Sequence, residues 1–235
     1  MGEQDITDCE IVCADGEIAL WDVCYDPDDQ DFEFENPTDS IPSEIGELTN
    51  LTDIDFSDSD LTGEIPDEIG ELTNLTDLDF SDNNLTGEIP EEIGDLTELD
   101  NLDLSGNDLS GDLLDEDGNI IFPENLTDLD LEGNSFEGEL PDDFDDLTLL
   151  EDLDLSDNNL SGDLLDGDGG IILPDNLENA DLSGNDFSGE IPDELGELTN
   201  LDSLDLSDNS FVGEFPDISD LLDLEFLDLS NQEEP

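Results

Sequence analysis

From residue 51 onward the sequence repeats itself, and this periodicity restricts the possible folds more than any other feature. Units of 23 to 27 residues each open with a leucine. The opening leucines are Leu51, Leu75, Leu99, Leu126, Leu150, Leu177, Leu201 and Leu224. One unit is too short to bury its own apolar side chains, so the units must stack into an elongated array with a shared core.

The clearest unit, LTDLDFSDNNLTGEIPEEIGDLTE, starts at Leu75. Its alternating apolar and acidic residues predict a short strand with Leu78 and Phe80 facing inward and the intervening aspartates facing outward. The six central units place an Asn where Asn83 stands, at the exit of this strand. We expect these amides to form a buried ladder that satisfies backbone groups in the following turn. Pro90 prevents any helix from beginning before Glu91.

These residues resemble the plant-type class of leucine-rich repeats, whose signature is LxxLxLxxNxLxGxIP. The resemblance runs from Leu51 to about Gln232. It implies an α/β-type repeat solenoid with a parallel β-sheet on its concave face and short turns or 3-10 segments on its convex side. We divide the chain into an N-terminal cap with a degenerate repeat, residues 1–50, and a repeat domain, residues 51–235. The second region holds seven repeats and a partial eighth, without an evident C-terminal cap.

Two of the units are longer than the others and share an insertion. LLDEDGNIIFP begins at Leu113 and LLDGDGGIILP begins at Leu164. Each has two apolar pairs around an Asp-Gly turn, which predicts a small β-hairpin on the side opposite the sheet or along its flank. The segments Asp115-x-Asp117-Gly118-Asn119 and Asp166-x-Asp168-Gly169 match part of a calcium loop, but turn formation explains them better, because neither has the full set of ligands.

The first 50 residues contain all three cysteines, Cys9, Cys13 and Cys24, and the single tryptophan, Trp21. This region resembles the cysteine-containing N-terminal caps of extracellular leucine-rich repeat proteins. An odd number of cysteines leaves one thiol unpaired. We prefer the pair Cys13–Cys24, and Cys9–Cys24 is the alternative. The resemblance implies an extracellular protein, although no signal peptide is recognisable in this chain.

The charge of the chain excludes several functions. It contains 75 Asp and Glu residues, no Lys, Arg or His, and a formal net charge of -75. Phosphate would be repelled everywhere, so we predict no nucleic-acid partner and no binding to anionic membrane surfaces. No apolar run approaches ~18 residues, so we also predict no membrane insertion. Catalysis that needs His, Lys or Arg is also excluded. Flat, periodic carboxylates do not form a cleft, and we predict that the protein is not an enzyme.

The outward positions of the predicted strands are occupied by aspartates, which are our candidate metal ligands. One set lies four residues after each opening leucine: Asp55, Asp79, Asp103, Asp130, Asp154, Asp181, Asp205 and Asp228. A second set lies two residues earlier: Asp53, Asp77, Asp128 and Asp152. Neighbouring carboxylates about 5 Å apart repel by about 0.8 kcal/mol even in water. Bound Ca²⁺, which prefers clustered carboxylate oxygens, would relieve that repulsion.

These observations favour a non-catalytic acidic scaffold that binds several Ca²⁺ ions weakly and interacts with a calcium mineral surface. A solenoid that recognises a cationic protein or peptide is the first alternative. An engineered or salt-adapted acidic scaffold with no specific ligand is the second. A family habit of placing Asp at this position, where it would hydrogen-bond neighbouring strands, accounts equally well for the longer set of aspartates. Five Asn-x-Ser/Thr sequences fall within the repeat motif, so we give them little weight as glycosylation sites.

Overall fold

We describe the fold from a computed structural model that covers residues 13–14, 17–21, 23–27, 39–115, 117–165 and 169–232. The chain winds into a solenoid in which most coils contribute one strand to each of two parallel sheets. Cys9, Phe32, Phe34, Asp166 and Asp168 lie outside the described residues. The strands are β1 (Ile18–Leu20), β2 (Val23–Tyr25), β3 (Asp53–Asp55), β4 (Thr62–Gly63), β5 (Asp77–Asp79), β6 (Asn84–Gly87), β7 (Asn101–Asp103), β8 (Asp108–Gly111), β9 (Asp128–Asp130), β10 (Ser135–Glu139), β11 (Asp152–Asp154), β12 (Asn159–Gly162), β13 (Asn179–Asp181), β14 (Asp186–Glu190), β15 (Ser203–Asp205), β16 (Ser210–Val212) and β17 (Phe226–Asp228).

The predicted concave sheet is present, and within the described residues it contains eight parallel strands in the order β17-β15-β13-β11-β9-β7-β5-β3. Each strand has three residues, of which the middle one points into the core. Leu78, Leu102 and Leu129 illustrate this position, each no more than 2% exposed. Because every coil pairs with the next in the same register, equivalent residues of successive repeats lie side by side.

A second parallel sheet, which was not predicted from the sequence, follows the first. In the described part of the chain it has seven strands in the order β16-β14-β12-β10-β8-β6-β4. Most of these strands end at a glycine with positive φ, such as Gly87 at +88°. A Cβ there would lie 2.9 Å from Cγ of Glu64 in the preceding coil, so a larger residue would clash with its neighbour. The close approach of adjacent coils therefore explains why the motif carries glycine here.

The expected 3-10 segments complete several coils, and no α-helix occurs among the described residues. Where a proline precedes such a segment, it has extended backbone angles and the helical turn begins at the next residue. Pro90, with φ -66° and ψ 138°, precedes the segment Glu91–Asp95 in this way. No helical segment of this coil begins before Glu91, as predicted. The 3-10 segments are Ser43–Glu47, Asp67–Glu71, Glu91–Asp95, Phe144–Asp146 and Asp193–Glu197.

Both longer repeats form an antiparallel bridge where we predicted a β-hairpin, Leu114 with Ile120 and Leu165 with Ile171. The backbone N–H of Ile120 donates to the carboxylate of Asp143 in the next coil, at 3.1 and 3.2 Å from its two oxygens. The first hairpin therefore packs against its neighbouring coil.

The predicted asparagine ladder links each coil to the one before it. Nδ2 of Asn83 donates to the carbonyl oxygen of Phe56 at 2.8 Å, and its Oδ1 accepts from the backbone N–H of Leu61 at 2.8 Å. Nδ2 also donates to carbonyls of its own turn. The buried members are Asn83, Asn107, Asn134, Asn158, Asn185 and Asn209. Gln232 makes the equivalent bonds at the last coil.

The two ends of the array differ in how they cover the core. At the N-terminal end, a disulfide joins Cys13 to Cys24, and the ring of Trp21 packs edge-on against Phe56 with centroids 5.2 Å apart. At the other end, β17 is the outermost strand, and its inward-facing Leu227 is only half-buried, whereas the equivalent Leu204 is fully buried.

We predict that Asn158→Ala destabilises the protein by about 3 kcal/mol, because a buried hydrogen-bonding group left unsatisfied costs about 1–3 kcal/mol. Asn158 accepts from the N–H of Phe136 and donates to the carbonyl of Leu131. Urea unfolding followed by circular dichroism measures the loss. Asn159→Ala is the control, since this neighbour is exposed and should change stability by no more than about 0.5 kcal/mol. Equal losses would contradict the ladder's role.

Candidate functional site

The outward residues of the concave sheet form two columns that run along the solenoid. The strand-end column contains the last residue of each strand: Asp55, Asp79, Asp103, Asp130, Asp154, Asp181, Asp205 and Asp228. The strand-start column contains the first: Asp53, Asp77, Asn101, Asp128, Asp152, Asn179, Ser203 and Phe226. The register therefore brings all twelve sequence-predicted aspartates onto one face, with coils about 4.8 Å apart.

Every aspartate of the strand-end column shapes the turn that follows its own strand. Oδ1 of Asp79 accepts from the backbone N–H of Ser81 at 2.9 Å and from its hydroxyl at 2.6 Å. The backbone bond recurs in all eight coils at 2.8–3.0 Å. A family habit predicts bonds to neighbouring strands. The carboxylates instead bond within their own chain segment, because an Asp side chain reaches the N–H two residues ahead.

The second carboxylate oxygen of these aspartates is left available. Among the described residues, no protein group donates a hydrogen bond to Oδ2 of any member of the strand-end column. The turn therefore fixes one oxygen of each side chain and leaves the other on the concave surface. The result is a row of oriented, unneutralised acceptors.

Three aspartates of the strand-start column are held by the preceding threonine. The hydroxyls of Thr52, Thr76 and Thr127 donate to Asp53, Asp77 and Asp128 at 2.5–2.7 Å. Asp152 differs because it accepts from Nδ2 of Asn179 in the next coil at 2.5 Å. An amide can therefore replace a carboxylate in this column and relieve local repulsion by bonding across it.

Glu132 departs from the repeat pattern and forms a cluster of three carboxylates on this face with Asp130 and Asp154. Most repeats have Ser at this position, whose hydroxyl supports the turn in several coils. Carboxylate oxygens of Asp130, Glu132 and Asp154 lie within 4.8 Å of one another. Glu132 is not among the ligands predicted from the sequence, although the change from LSGN to LEGN at Leu131–Asn134 is a visible signal.

The environment of the cluster raises the pKa of its members. Burial is the largest cause of the rise in the pKa of Asp130 to about 6, and the charges of Asp103, Asp154 and Glu132 add to it. Burial also raises the pKa of Asp154 and of Glu132, again with neighbouring carboxylates contributing. At the end of the column, the backbone N–H of Ser230 lowers the pKa of Asp228. The centre of the column therefore holds protons more tightly than its end.

A shallow groove of about 330 Å³ runs across the central and C-terminal part of the concave face. Phe226 closes one end and is 48% exposed, so it offers an aromatic surface among the carboxylates. The groove includes Asp130 and Asp154 but not Asp53 or Asp77. The columns thus reach further toward the N-terminus than the concavity does.

The calcium-loop resemblance at the first hairpin is explained by turn formation. Oδ1 of Asp115 accepts from the backbone N–H groups of Asp117 and Asn119 at 2.9 and 2.8 Å. The side chain of Asn119 is the main cause of the lowered pKa of Asp115. The carboxylate is therefore already satisfied by its own loop.

Comparison with known proteins identifies the family. The leucine rich repeat family models match residues 49–109, 125–147, 149–170, 176–198 and 200–221. The chain belongs to the leucine-rich repeat family. A search of curated proteins finds no match. In the described part of the chain, no helix is long and apolar enough to cross a membrane.

Solved structures similar to this leucine-rich repeat protein include ectodomains of plant receptors. The plant peptide hormone receptor RGFR1 in complex with RGF2 is 39% identical, with a TM-score of 0.77 over 83% of this chain and 30% of the receptor chain. The ectodomain of GASSHO1/SCHENGEN3 from Arabidopsis thaliana, in complex with CASPARIAN STRIP INTEGRITY FACTOR 2, is 36% identical, with a TM-score of 0.75 over 83% and 23%. HAESA from Arabidopsis, in complex with the peptide hormone IDA and the co-receptor SERK1, is 33% identical, with a TM-score of 0.71 over 84% and 32%. The chain thus spans a quarter to a third of these receptor chains.

We predict that Asp130→Asn raises the free energy of unfolding of this leucine-rich repeat protein at pH 7 by about 1 kcal/mol. This value is smaller than the pKa shift alone would give, because the carboxylate is partly exposed and solvent screens its charge. The folded pKa lies above the ordinary value of 3.8. Folding therefore favours the protonated form of Asp130. The contribution of this side chain to the free energy of unfolding falls as the pH rises through about 6. Asn retains the oxygen that accepts from Glu132. The gain should vanish below pH 4, as thermal melts across pH would show.

The matched control is Asp228→Asn, at the end of the same column. The pKa of Asp228 is lowered, so its charge is favourable in the folded state and its removal should give no gain at pH 7. Equal gains for both variants would show that only total charge matters.

Proposed function

We propose that the protein is a non-catalytic recognition module whose concave face binds a cationic segment of a protein or peptide. The observation that carries this proposal is the strand-end column, in which each turn-fixed carboxylate leaves one oxygen on the surface. Similar plant receptor ectodomains were solved with peptide ligands. The role of this surface in our chain is inferred from its own charges and geometry.

Charge complementarity gives this face its chemical preference. The chain contains no Lys, Arg or His, so no internal cation neutralises the columns. Lys and Arg side chains of a partner could donate to the free Oδ2 atoms, and bonds between charged groups are among the stronger hydrogen bonds. The field of the whole chain would also speed the encounter with a cationic partner.

The groove supplies a position for an apolar contact within the charged face. Exposed Phe226 stands at the C-terminal end of the strand-start column. Aromatic residues within a binding surface often contribute more affinity than the surrounding polar contacts. A partner that pairs basic residues with one apolar side chain would fit this arrangement.

The test uses fluorescence anisotropy with an extended peptide that alternates Lys or Arg with apolar residues. Changing Asp103, Asp154, Asp181 and Asp205 together to Asn should weaken binding at least tenfold, or about 1.4 kcal/mol. Asn keeps the oxygen that each turn requires. The control changes the exposed Glu68, Glu71, Glu91 and Glu98 to Gln, which removes the same charge from outside the concave sheet. An equal loss in both variants would mean that binding follows total charge and that the concave face has no special role.

We also infer that the Asp130–Glu132–Asp154 cluster binds Ca²⁺ weakly. The supporting observation is that three carboxylates approach within 4.8 Å and have raised pKa values. Ca²⁺ takes six to eight oxygens, so water would complete its shell and affinity would be low. Binding of a calcium mineral surface is the extended form of this hypothesis, in which the columns hold many such ions.

Calorimetry and thermal melts with Ca²⁺ test this second proposal. Glu132→Ser restores the residue found in most repeats and should abolish the calcium-specific rise in melting temperature. Glu137→Ser, at an exposed position of the second sheet, should leave it unchanged. Equal stabilisation of the parent protein by Ca²⁺ and by Na⁺ at matched ionic strength would contradict the proposal. That result would favour a salt-adapted or engineered acidic scaffold without a specific ligand.

A further inference from the structure

The five Asn-x-Ser/Thr sequences fall into two structural classes. Asn50, Asn74 and Asn125 each precede the leucine that opens a repeat. Their Nδ2 atoms donate to backbone carbonyls of the preceding turn of the chain, those of Pro27 at 2.8 Å, Thr49 at 2.7 Å and Thr97. These side chains form a second, outer amide ladder between coils.

Asn84 and Asn159 have a different environment. Each begins a strand of the second sheet, β6 or β12. Both are exposed, as Asn74 and Asn125 also are, so the two classes differ in the hydrogen bonds of the side chain and not in exposure. The residues that follow, Leu85 and Leu160, are fully buried, so the alternation of the strand directs both asparagines outward. No hydrogen bond to either side-chain amide occurs within the described part of the chain. The backbone N–H of Asn84 is held by the carbonyl of Leu61 at 2.8 Å, which fixes the strand without using the side chain.

The two asparagines occupy equivalent positions three coils apart, with Asp108 and Ser135 between them in the same series. At about 4.8 Å per coil, their backbones lie about 14 Å from each other. They belong to the second sheet, whereas the candidate binding face belongs to the first. A large group attached here would therefore leave the concave columns uncovered.

We propose that Asn84 and Asn159 are N-glycosylation acceptors and that Asn50, Asn74 and Asn125 are not. In this reaction Nδ2 forms a bond to the anomeric carbon of a lipid-diphosphate oligosaccharide, catalysed by an oligosaccharyltransferase. The bond from that carbon to the diphosphate breaks, the lipid diphosphate leaves, and Nδ2 loses one proton. The product needs Nδ2 to face water, because the sugar is bulky and solvated. At the outer amide ladder the sugar would instead press against the preceding coil.

The experiment is secretion of the chain from a eukaryotic host behind a cleavable leader, followed by peptide mass spectrometry. Enzymatic deglycosylation in heavy-oxygen water marks each former glycan site. We expect glycans at Asn84 and Asn159 and unmodified Asn at the three ladder sites. Asn84→Gln and Asn159→Gln should each remove one glycan. Occupied ladder sites together with empty Asn84 and Asn159 would overturn the proposal.

Two designed sequons test whether structural position decides occupancy. Asp108→Asn creates an acceptor sequence with Ser110 at the position equivalent to Asn84, and we expect it to be glycosylated. Glu178→Thr creates one at Asn176, whose Nδ2 donates to the carbonyl of Thr148 in the outer amide ladder, and we expect it to stay unmodified. Translation with microsomal membranes gives the same readout if a variant is not secreted. Equal occupancy of both designed sites would show that the fold does not discriminate between them, and the proposal would be wrong.

Discussion

The stacking of each coil on the next is the interaction on which the rest of this structure depends. It combines backbone pairing in two parallel sheets, a continuous apolar core and a buried asparagine ladder. The ladder joins them, because each amide such as Asn83 reaches the backbone of the preceding coil on one side and its own turn on the other. A buried polar group is stabilising only when its partners are complete, and the repeat completes them at every step.

This regular stacking also explains how so acidic a chain can fold. The in-register pairing places like charges side by side along the strand-end column, where they repel. The array compensates locally: Ser81 bonds Asp79, Thr76 bonds Asp77, and Asn179 bonds Asp152 across the column. Glu132 lacks this compensation, and burial with nearby charge raises the pKa of Asp130 to about 6. The repeat that places the carboxylates side by side thus leaves one cluster, Asp130–Glu132–Asp154, in which Asp130 lacks the serine hydroxyl that several other coils supply. This cluster is the candidate cation site.

Much of the fold could be predicted because the pattern is local and repeated many times. Alternation in Leu75–Phe80 identified the strands, Pro90 identified the start of the 3-10 segment, and the apolar pairs near Leu114 and Ile120 identified the hairpin. The second sheet escaped prediction because its strands, such as Asn84–Gly87, begin with a polar residue and contain glycine, which is typical of a turn rather than a strand. Only their pairing with neighbouring coils shows that they are strands. Cross-coil pairing depends on how closely the coils approach, which a single repeat does not encode.

The sequence by itself determined the family, the two outward aspartate positions and the absence of any internal cation. The tertiary structure decided how those residues are used. It directed one oxygen of each strand-end aspartate into a turn and left the other on the surface. It brought the carboxylates of Asp130, Glu132 and Asp154 together. It also gave the amide of Asn74 a hydrogen bond to the preceding coil, whereas no described residue bonds the amide of Asn84. These distinctions depend on distances between neighbouring coils, so they arise only once the repeats are stacked.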